Sequence, residues 1–528
     1  MNVLEFILEH SPALIVAVPL LGAFLTPLVS KLNDKIRNVF VILVLGLTGL
    51  LVLLLASDVF TNGIHTYIFG AKDLTLPVVR ILFEVDGMSI FMAIISAILA
   101  LVAVIYSWAF MKENTGLDKY YTLILLMTAG MLGMELTGDM FNFFVFLEIT
   151  SISSCALIAF WTHKGESVEA AFKYIVISAI GALFVLFAVA LLYGQYNALN
   201  IAILANVIQY TFLDKIALVL LVVALTMKAG IVPMHMWLPD AYGRAPSSVT
   251  LALIGATLAS LYGVFRVCFT LYGKSLSIVT GQLGNTLNIT VNATLGSIII
   301  SLAIITILFG VIMALRQIDF KRLIAFAAVA ELGYMFLGIG AGIAAMGTTY
   351  GMMALKGGIF HVMNDALDVG LLFLVAGAIY YATKENSLNQ MGGLARNMKY
   401  TSIFFIIGLL AVSGMPPMNG FASKLIIYES TYQLNPILAI IAILSSIMLL
   451  AVFVKVFYSA FMGPALPKFK DVKEVPKSML FAMGIIATII IIFGLFPELV
   501  LNNIVEPAAN ALANNASYIS QVINLGGA

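Results

Sequence analysis

Long apolar runs recur along the whole chain and constrain its fold more than any other feature. A helix that crosses the hydrocarbon core of a bilayer needs about 20 mostly apolar residues. With 62% hydrophobic and only 10% charged residues, the chain carries far less charge than the roughly 25% of a soluble globular protein. Fourteen runs, numbered TM1 to TM14, lie near residues 12–30, 37–57, 86–107, 120–136, 139–161, 170–193, 214–238, 247–272, 295–315, 322–341, 346–381, 401–429, 434–462 and 479–500. We therefore predict an all-α integral membrane protein with about 14 transmembrane helices.

The distribution of lysine and arginine predicts the orientation of these helices. If the N-terminus is outside, 18 of the 27 basic residues fall in inner loops and 5 within the spans. The 4 basic residues in outer loops are Lys72, Arg80, Lys215 and Lys274. Such a bias follows the positive-inside rule. We expect a multi-pass protein of the cell membrane with both termini on the outer side.

Several ionisable residues lie at predicted mid-membrane depth, where a charge costs about 2.5–3.5 kcal/mol. These residues are Glu148 in TM5, Lys228 in TM7, Glu331 in TM10, Lys356, His361, Asp365 and Asp368 in TM11, and Lys424 in TM12. The spacing of residues 361, 365 and 368 places them on one helix face. Buried membrane charges usually face a polar interior and mark ion pathways. A purely structural ion pair is the alternative interpretation, whereas Arg266 and Lys455 are expected to reach water at helix ends.

Two predicted spans are interrupted by proline. TM7 contains Gly230 and Pro233 just after Lys228, and TM12 contains the segment SGMPPMNG before Lys424. Proline removes a helix hydrogen bond, and irregular backbone at membrane depth is tolerated where it lines a polar cavity or is buried in protein. Paired broken helices are typical of inverted repeats. We predict TM1–3 at 1–115, a five-helix repeat (TM4–8) at 116–273, its inverted copy (TM9–13) at 290–463, TM14 at 477–500 and a short surface tail at 501–528.

Five motifs carry a family resemblance that runs from about residue 80 to 430. They are VDGMS at 85–89, FFVFLEITSISSCALIAFW at 143–161, MKAGIVPMHMWLPDAYGRAPSSV at 227–249, DFKRLIAFAAVAELGYMFLGIG at 319–340 and SGMPPMNGFASKL at 413–425. With these motifs the chain resembles the antiporter-type membrane subunits of respiratory complex I, Mrp-type cation/proton antiporters and energy-converting membrane hydrogenases. The resemblance implies 14 core helices, inverted five-helix repeats and broken seventh and twelfth helices.

The resemblance also implies roles for individual residues. Glu148 matches the family's fifth-helix glutamate, Lys228 its seventh-helix lysine, Lys424 its twelfth-helix lysine or glutamate, and His361 a histidine early in helix 11. The chain departs from the family in the middle of the pathway. Asp365 and Val369 stand where His and Lys are common, Ile254 and Ser260 occupy the region of a polar helix 8 residue, and Glu331 replaces His or Gln. An altered, acidic middle section that is compatible with H⁺ or Na⁺ follows from these departures.

A relay through these groups is the predicted mechanism. Burial and a nearby carboxylate act in opposite directions on a lysine's proton affinity, so Glu148 is expected to tune Lys228. The proton then passes through Glu331, His361, Asp365 and Asp368 to Lys424, with His235 as an inner-side relay. The predicted pathway residues are Glu148, Lys228, His235, Glu331, Lys356, His361, Asp365, Asp368 and Lys424.

The chain itself lacks signs of redox chemistry or nucleic-acid binding. Cys155 and Cys268 are far apart in apolar runs and match no iron–sulfur or zinc motif, and no dinucleotide-binding, Walker or haem-attachment pattern is present. We expect no cofactor on this chain, with iron–sulfur and other redox centres, such as nickel–iron, on peripheral partner subunits. The favoured function is an ion-translocating subunit of a redox-driven complex, such as a hydrogenase, a sulfur or sulfane reductase, or a complex I-like oxidoreductase. A subunit of a stand-alone Mrp-type Na⁺/H⁺ antiporter is the alternative, and a solute transporter is a weaker third.

Overall fold

The computed structural model describes residues 3–70, 81–283 and 287–526 and is built mainly from α-helices. The helices are Val3–Glu9 (α1), Ser11–Ser30 (α2), Asp34–Asn62 (α3), Gly87–Phe110 (α4), Leu117–Leu136 (α5), Met140–Ile158 (α6), Gly165–Tyr196 (α7), Ile201–Val207 (α8), Phe212–Ala229 (α9), Trp237–Arg244 (α10), Ser247–Phe265 (α11), Val291–Arg316 (α12), Phe320–Ala344 (α13), Thr349–Thr383 (α14), Lys399–Val412 (α15), Asn419–Leu434 (α16), Pro436–Val456 (α17), Lys477–Leu495 (α18), Pro497–Val500 (α19), Glu506–Ala513 (α20) and Asn515–Gly526 (α21). The predicted outer-loop residues Lys72 and Arg80 lie outside the described residues.

Within the described ranges, 12 helical stretches are long and apolar enough to cross a membrane, counting α9 and α10 as one. They coincide with predicted TM1–3, TM5–11, TM13 and TM14, so the chain is a multi-pass membrane protein. The two other predicted spans coincide with α5, which has three charged residues, and with α15–α16, which a break divides. The total of 14 spans and the inverted repeat stay predictions.

Three helices form the centre of the bundle. The most apolar stretches of α11, α13 and α14 are entirely buried, whereas less than half of each such stretch in α2, α12 and α18 is buried. In a membrane, the exposed apolar side chains of these outer helices face lipid. The polar side chains in the buried middle of α13 and α14, such as Glu331 and Asp365, are therefore shielded from both lipid and bulk water.

The two broken helices share a local pattern. In each, a glycine in the left-handed region ends the first half: Gly230 with φ 86° after α9, and Gly414 with φ 66° after α15. A cis peptide bond precedes Pro233 in the first break and Pro417 in the second. Each proline lies three residues after its glycine, so the predicted interruptions are present at matching positions.

Basic residues from the predicted inner loops gather at one end of the bundle. Arg322 and Lys173 both contact Asp240, at 3.2 and 2.8 Å, and Arg244 contacts Asp319 at 3.3 Å. These ion pairs join α7, α10 and α13. Loops that alternate along the sequence therefore meet at a common end, as a bundle of crossing helices requires.

Two short antiparallel hairpins add a β component to the fold that we predicted as all-α. In one, His65–Phe69 (β1) pairs with Ile81–Val85 (β2), and in the other Val279–Leu283 (β3) pairs with Leu287–Thr290 (β4). Helical periodicity in the flanking spans gives no information about these connections. They lie between spans, where period-2 segments of four or five residues are too short to stand out in the sequence.

The described part of the predicted tail, residues 501–526, is more ordered and more buried than the surface tail that we predicted at 501–528. It contains α20 and α21, in which Ala508, Leu512 and Tyr518 are buried. A Cβ added to Gly87 at the start of α4 would lie 2.7 Å from the Pro507 carbonyl oxygen. The prediction was wrong because the abundant alanines of this segment form a packing face rather than a solvated one.

Candidate functional site

Lys228 lies in the last turn of α9, directly before the break at Gly230, and its side chain is buried. Its ammonium group donates hydrogen bonds to Ser151 Oγ at 2.7 Å and to Ser178 Oγ at 2.8 Å. A third bond reaches the carbonyl oxygen of Ser178 at 3.3 Å. The two serines come from α6 and α7, so the amine is held by neutral oxygens of two neighbouring helices. This arrangement satisfies all three ammonium donors without an anion.

A small cavity adjoins this amine. Its volume of about 20 Å³ is enough for about one water molecule. Its polar lining comes from Lys228, Tyr174 and five hydroxyl residues: Thr150, Ser151, Ser178, Thr257 and Ser260. We call this enclosure the Lys228 cavity. It provides the polar partners that a buried water needs.

Glu148, on α6, does not pair directly with Lys228. No ion pair within 4 Å joins them in the described part of the chain, although the Glu148 charge acts electrostatically on the lysine. The Glu148 side chain is partly buried, and its Oε1 atom has no hydrogen-bond partner among the described residues. The predicted partner is thus near but separated, and Ser151, three residues later on the same helix, makes the contact instead.

A second cluster surrounds Glu331 on α13. Lys424 Nζ lies 2.8 Å from Glu331 Oε1, and His361 Nε2 lies 2.9 Å from Glu331 Oε2. All three side chains are about 1% exposed, so this carboxylate bridges two basic groups out of reach of bulk water. Lys424 also donates to the Val412 carbonyl oxygen at 2.8 Å and lies over the Tyr334 ring at 4.4 Å. We call Glu331, His361 and Lys424 the Glu331 cluster.

Asp365 and Asp368 extend this cluster along α14. Both are buried, and the Oδ1 atom of each has no hydrogen-bond partner among the described residues. Asp365 interacts electrostatically with Glu331, Asp368 and Lys424. A buried carboxyl oxygen without a partner is costly. Such oxygens in a membrane core are suited to exchanging a proton with a water or a neighbouring group.

The break in α15–α16 shapes the second cluster. A Cβ at Gly414 would lie 2.9 Å from Lys424 Cδ, and one at Gly420 would lie 2.0 Å from the Ala411 carbonyl oxygen and 3.1 Å from Asp368 Oδ2. Neither position tolerates a side chain without movement. The two glycines therefore let the backbone of the break approach the Lys424 stem and the Asp368 carboxylate.

Two of the predicted pathway residues lie apart from these clusters. Lys356 forms a partly exposed ion pair with Glu506 of α20 at 2.7 Å. His235 is buried in the break after α9, with its ring 4.5 Å from that of Phe309 and its Nδ1 atom without a partner among the described residues. The structure therefore brings Glu331, His361, Asp365, Asp368 and Lys424 together, and places Glu148 and Lys228 near each other. Among the described residues, no hydrogen bond or ion pair joins Lys356 or His235 to either group.

Arg266 does not extend to water, contrary to our prediction. It is 4% exposed and forms a two-pronged ion pair with Asp86, the N-cap residue of α4. Its Nη2 atom also donates to Ser89 Oγ at 2.8 Å. The partner lies 180 residues away, which is why the sequence position of Arg266 near a span end was misleading. Lys455 does reach a helix end, where it bonds the Leu315 carbonyl oxygen at 3.1 Å.

Sequence reasoning missed the uncharged members of the site. Ser151 and Ser178 hold Lys228, and Thr257 and Ser260 line its cavity. It also missed Glu135, a buried carboxyl on α5 that accepts a hydrogen bond from Ser96 at 2.6 Å. Glu135 was detectable as a charge close to a span end. The hydroxyls carry no charge signal, and only their recurrence within apolar spans marks them.

Comparisons with known proteins agree with this fold. The sequence matches the family described as "NADH:quinone oxidoreductase/Mrp antiporter, TM" over residues 137–450, and "NADH-Ubiquinone oxidoreductase (complex I), chain 5 N-terminus" over residues 77–121. The relative named NADH-quinone oxidoreductase subunit N, from Desulforudis audaxviator, is 31% identical over 526 residues, which cover 94% of this chain and 98% of the relative.

Two solved structures are similar over most of the chain. A chain of the Mrp complex from Dietzia sp. has a TM-score of 0.83 at 24% identity, covering 98% of this chain and 99% of that one. A chain of the membrane-bound sulfane sulfur reductase, an archaeal respiratory membrane complex, has a TM-score of 0.81 at 27% identity, covering 93% and 77%.

Proposed function

Because the chain belongs to the family of NADH:quinone oxidoreductase and Mrp antiporter membrane subunits, we propose that it translocates protons as a membrane subunit of a redox-driven complex. The observation that carries the proposal is the Glu331 cluster with the adjacent buried Asp365 and Asp368. A structural ion pair needs one acid and one base, whereas five titratable groups meet here. Groups of this kind in a membrane interior typically serve ion pathways.

The two lysines are the proposed proton carriers of the two halves. Lys228 has neutral partners, so its positive charge is balanced only at a distance, by Glu148. A small movement of Glu148 relative to the lysine would change the proton affinity of the amine, because an opposite charge favours the protonated form. Lys424 is paired directly with Glu331 and keeps its proton until that carboxylate is itself protonated or displaced.

The direction of transfer is set by a driving reaction on partner chains. We propose peripheral redox subunits with iron–sulfur centres, together with other membrane subunits, as partners, and the cell membrane with both termini outside as the location. His235, in the broken segment, and Lys356, at the ion pair with Glu506, are proposed as groups at the ends of the pathway rather than in its middle.

The test replaces Lys228 with Ala in the intact complex, purified through a tag on this chain and identified by mass spectrometry. Reconstituted in sealed vesicles, the variant is expected to retain the redox activity of its partners and to lose coupled proton uptake, read by a pH-sensitive dye. Lys215→Ala is the matched control, because Lys215 lies on the same helix beside the Tyr210 ring, 5.0 Å from its centroid. Undiminished proton uptake by the Lys228 variant would end the proposal.

The same preparation distinguishes the redox-driven function from an Mrp-type antiporter. Redox subunits among the co-purifying chains, with proton uptake that follows their turnover, agree with the proposal. Co-purification of membrane subunits alone, with proton movement driven by an imposed Na⁺ gradient, would favour the antiporter.

A further inference from the structure

The two halves of the proposed pathway are separated by α11. This helix packs against both α9, which carries Lys228, and α14, which carries Asp365. It is buried throughout and contains no Asp, Glu, Lys, Arg or His. A proton that leaves the Lys228 cavity for Asp365 must therefore pass this helix without the help of a charged side chain.

Two hydroxyl groups bridge the separation. Thr257, on α11, lines the Lys228 cavity, and its Oγ1 atom lies 2.7 Å from the hydroxyl oxygen of Tyr242. Tyr242 belongs to α10, the second half of the broken helix, and is 2% exposed. At 2.7 Å the contact is a short, well-formed hydrogen bond between hydroxyl groups. The Lys228 cavity is thus connected to the phenol by one side chain.

The ring of Tyr242 in turn contacts α14, while its hydroxyl also donates to the Leu253 carbonyl oxygen of α11 at 3.3 Å. The Tyr242 ring packs edge-to-face on Phe373 of α14, with 5.6 Å between ring centroids. Asp365 lies on that same helix, about two turns before Phe373. No direct hydrogen bond joins Asp365 to the phenol in the described structure, and Asp365 Oδ1 is without a partner there. A single water between a phenol and a carboxyl oxygen is a suitable bridge.

We propose that protons cross between the halves through the hydroxyls of Thr257 and Tyr242, a step that rests on the proposed function. A hydroxyl both accepts and donates, so each can take one proton and release its own. Lys228 gives a proton to water in the cavity, and this water protonates Thr257 as Thr257 passes its proton to Tyr242. Tyr242 releases its proton, through a water, to the Asp365 carboxylate. The balance is a neutral amine at Lys228, a neutral carboxyl at Asp365 and unchanged hydroxyls.

This route explains how the middle of the pathway works although Ile254 and Ser260 occupy the region of the family's polar helix 8 residue. Ile254 is apolar and buried, and Ser260 Oγ donates to the Ala256 carbonyl oxygen at 3.2 Å. The conducting side chain of α11 is instead Thr257, between these two positions. Its partner comes from the broken helix rather than from α11 itself.

The test removes each hydroxyl with little change of shape. Thr257→Val and Tyr242→Phe are made in the intact complex, and proton uptake per redox turnover is measured in sealed vesicles. Each variant is expected to lose uptake by about tenfold or more, since a positioned proton-transfer group typically contributes 10²–10⁴-fold. Thr257→Ser, which keeps the hydroxyl, is expected to retain most of the activity.

Two controls separate a conducting role from a packing role. Tyr106→Phe deletes a buried hydroxyl that bonds the Leu374 carbonyl oxygen at 2.8 Å, and Thr128→Val deletes one that bonds the Ile124 carbonyl oxygen at 2.8 Å. Both are expected to pump normally. Full uptake in the Tyr242 and Thr257 variants, while Lys228→Ala is inactive, would overturn the hydroxyl route and leave the proposed function standing. The hydroxyl route would also be overturned if Thr257→Ser or the two control variants lost as much proton uptake as Thr257→Val and Tyr242→Phe.

Discussion

The ion pair between Lys424 and Glu331 permits a quantitative test of how the buried charges depend on one another. Glu331 holds Lys424 at 2.8 Å and His361 at 2.9 Å, and all three side chains are about 1% exposed. Lys424→Met removes the ammonium group and leaves the carboxylate with one basic partner. Breaking a buried pair on one side costs about 3–5 kcal/mol, because the remaining charge stays desolvated.

The companion variant, Glu331→Gln, is expected to cost a similar amount, because it leaves Lys424 buried without an anion. The double variant should recover most of the loss, since a buried pair can be replaced by uncharged residues at little cost. The two single losses sum to about 6–10 kcal/mol, so a double variant that recovers most of them gives an interaction energy above about 3 kcal/mol, beyond the 0.5–3 kcal/mol usual for residues in contact.

The assay is the free energy of unfolding of the purified complex in detergent, followed for the two single variants and the double variant. Lys455→Met is the control, because Lys455 is exposed and its partners in the described structure are backbone carbonyl oxygens at the end of α12. Additive losses, with no interaction energy beyond about 0.5 kcal/mol, would refute the interpretation of Glu331 and Lys424 as a desolvated charge pair. Proton uptake should be lost in all three variants, whatever their stability.

Two further predictions follow from particular contacts. Arg266→Leu should lower the free energy of unfolding by about 3–5 kcal/mol in the same assay. The double variant Asp86→Leu/Arg266→Leu should recover much of that loss. An Arg266→Leu variant with unchanged stability would show that the pair is not desolvated. Gly414 has φ 66°, and a Cβ there would lie 2.9 Å from Lys424 Cδ. Gly414→Ala should therefore lower the free energy of unfolding by about 1–3 kcal/mol and reduce proton uptake. Normal uptake would show that the Lys424 stem can move freely.

The helical architecture could be predicted from the sequence because the membrane leaves few choices. Buried backbone groups must be paired within helices, so an apolar run of sufficient length indicates a helix, and the proline at Pro233 indicates where one is broken. The hairpin β1–β2 and the buried face around Leu512 were missed because they lie outside the spans. There, tertiary packing decides the structure, and local composition carries little information.

The charged part of the site was predictable for a similar reason. A buried charge needs a partner, so Glu331 and Lys424 were expected to face the interior, and they contact each other. The partners of Lys228 were not predictable, because Ser151 and Ser178 are neutral and common in membrane helices. The partner of Lys356 was not predictable either, since a charge within an apolar run can reach a partner outside the spans, here Glu506.

The central claim is that a continuous buried relay carries protons between the two lysines, and Asp365 is its midpoint. The most direct measurement is the number of protons taken up per redox turnover in sealed vesicles, compared between the unmodified complex and Asp365→Asn. This substitution keeps the shape of a buried side chain that makes no ion pair in the described structure. We predict retained redox turnover with a proton ratio reduced by about tenfold or more. An unchanged ratio would contradict the relay.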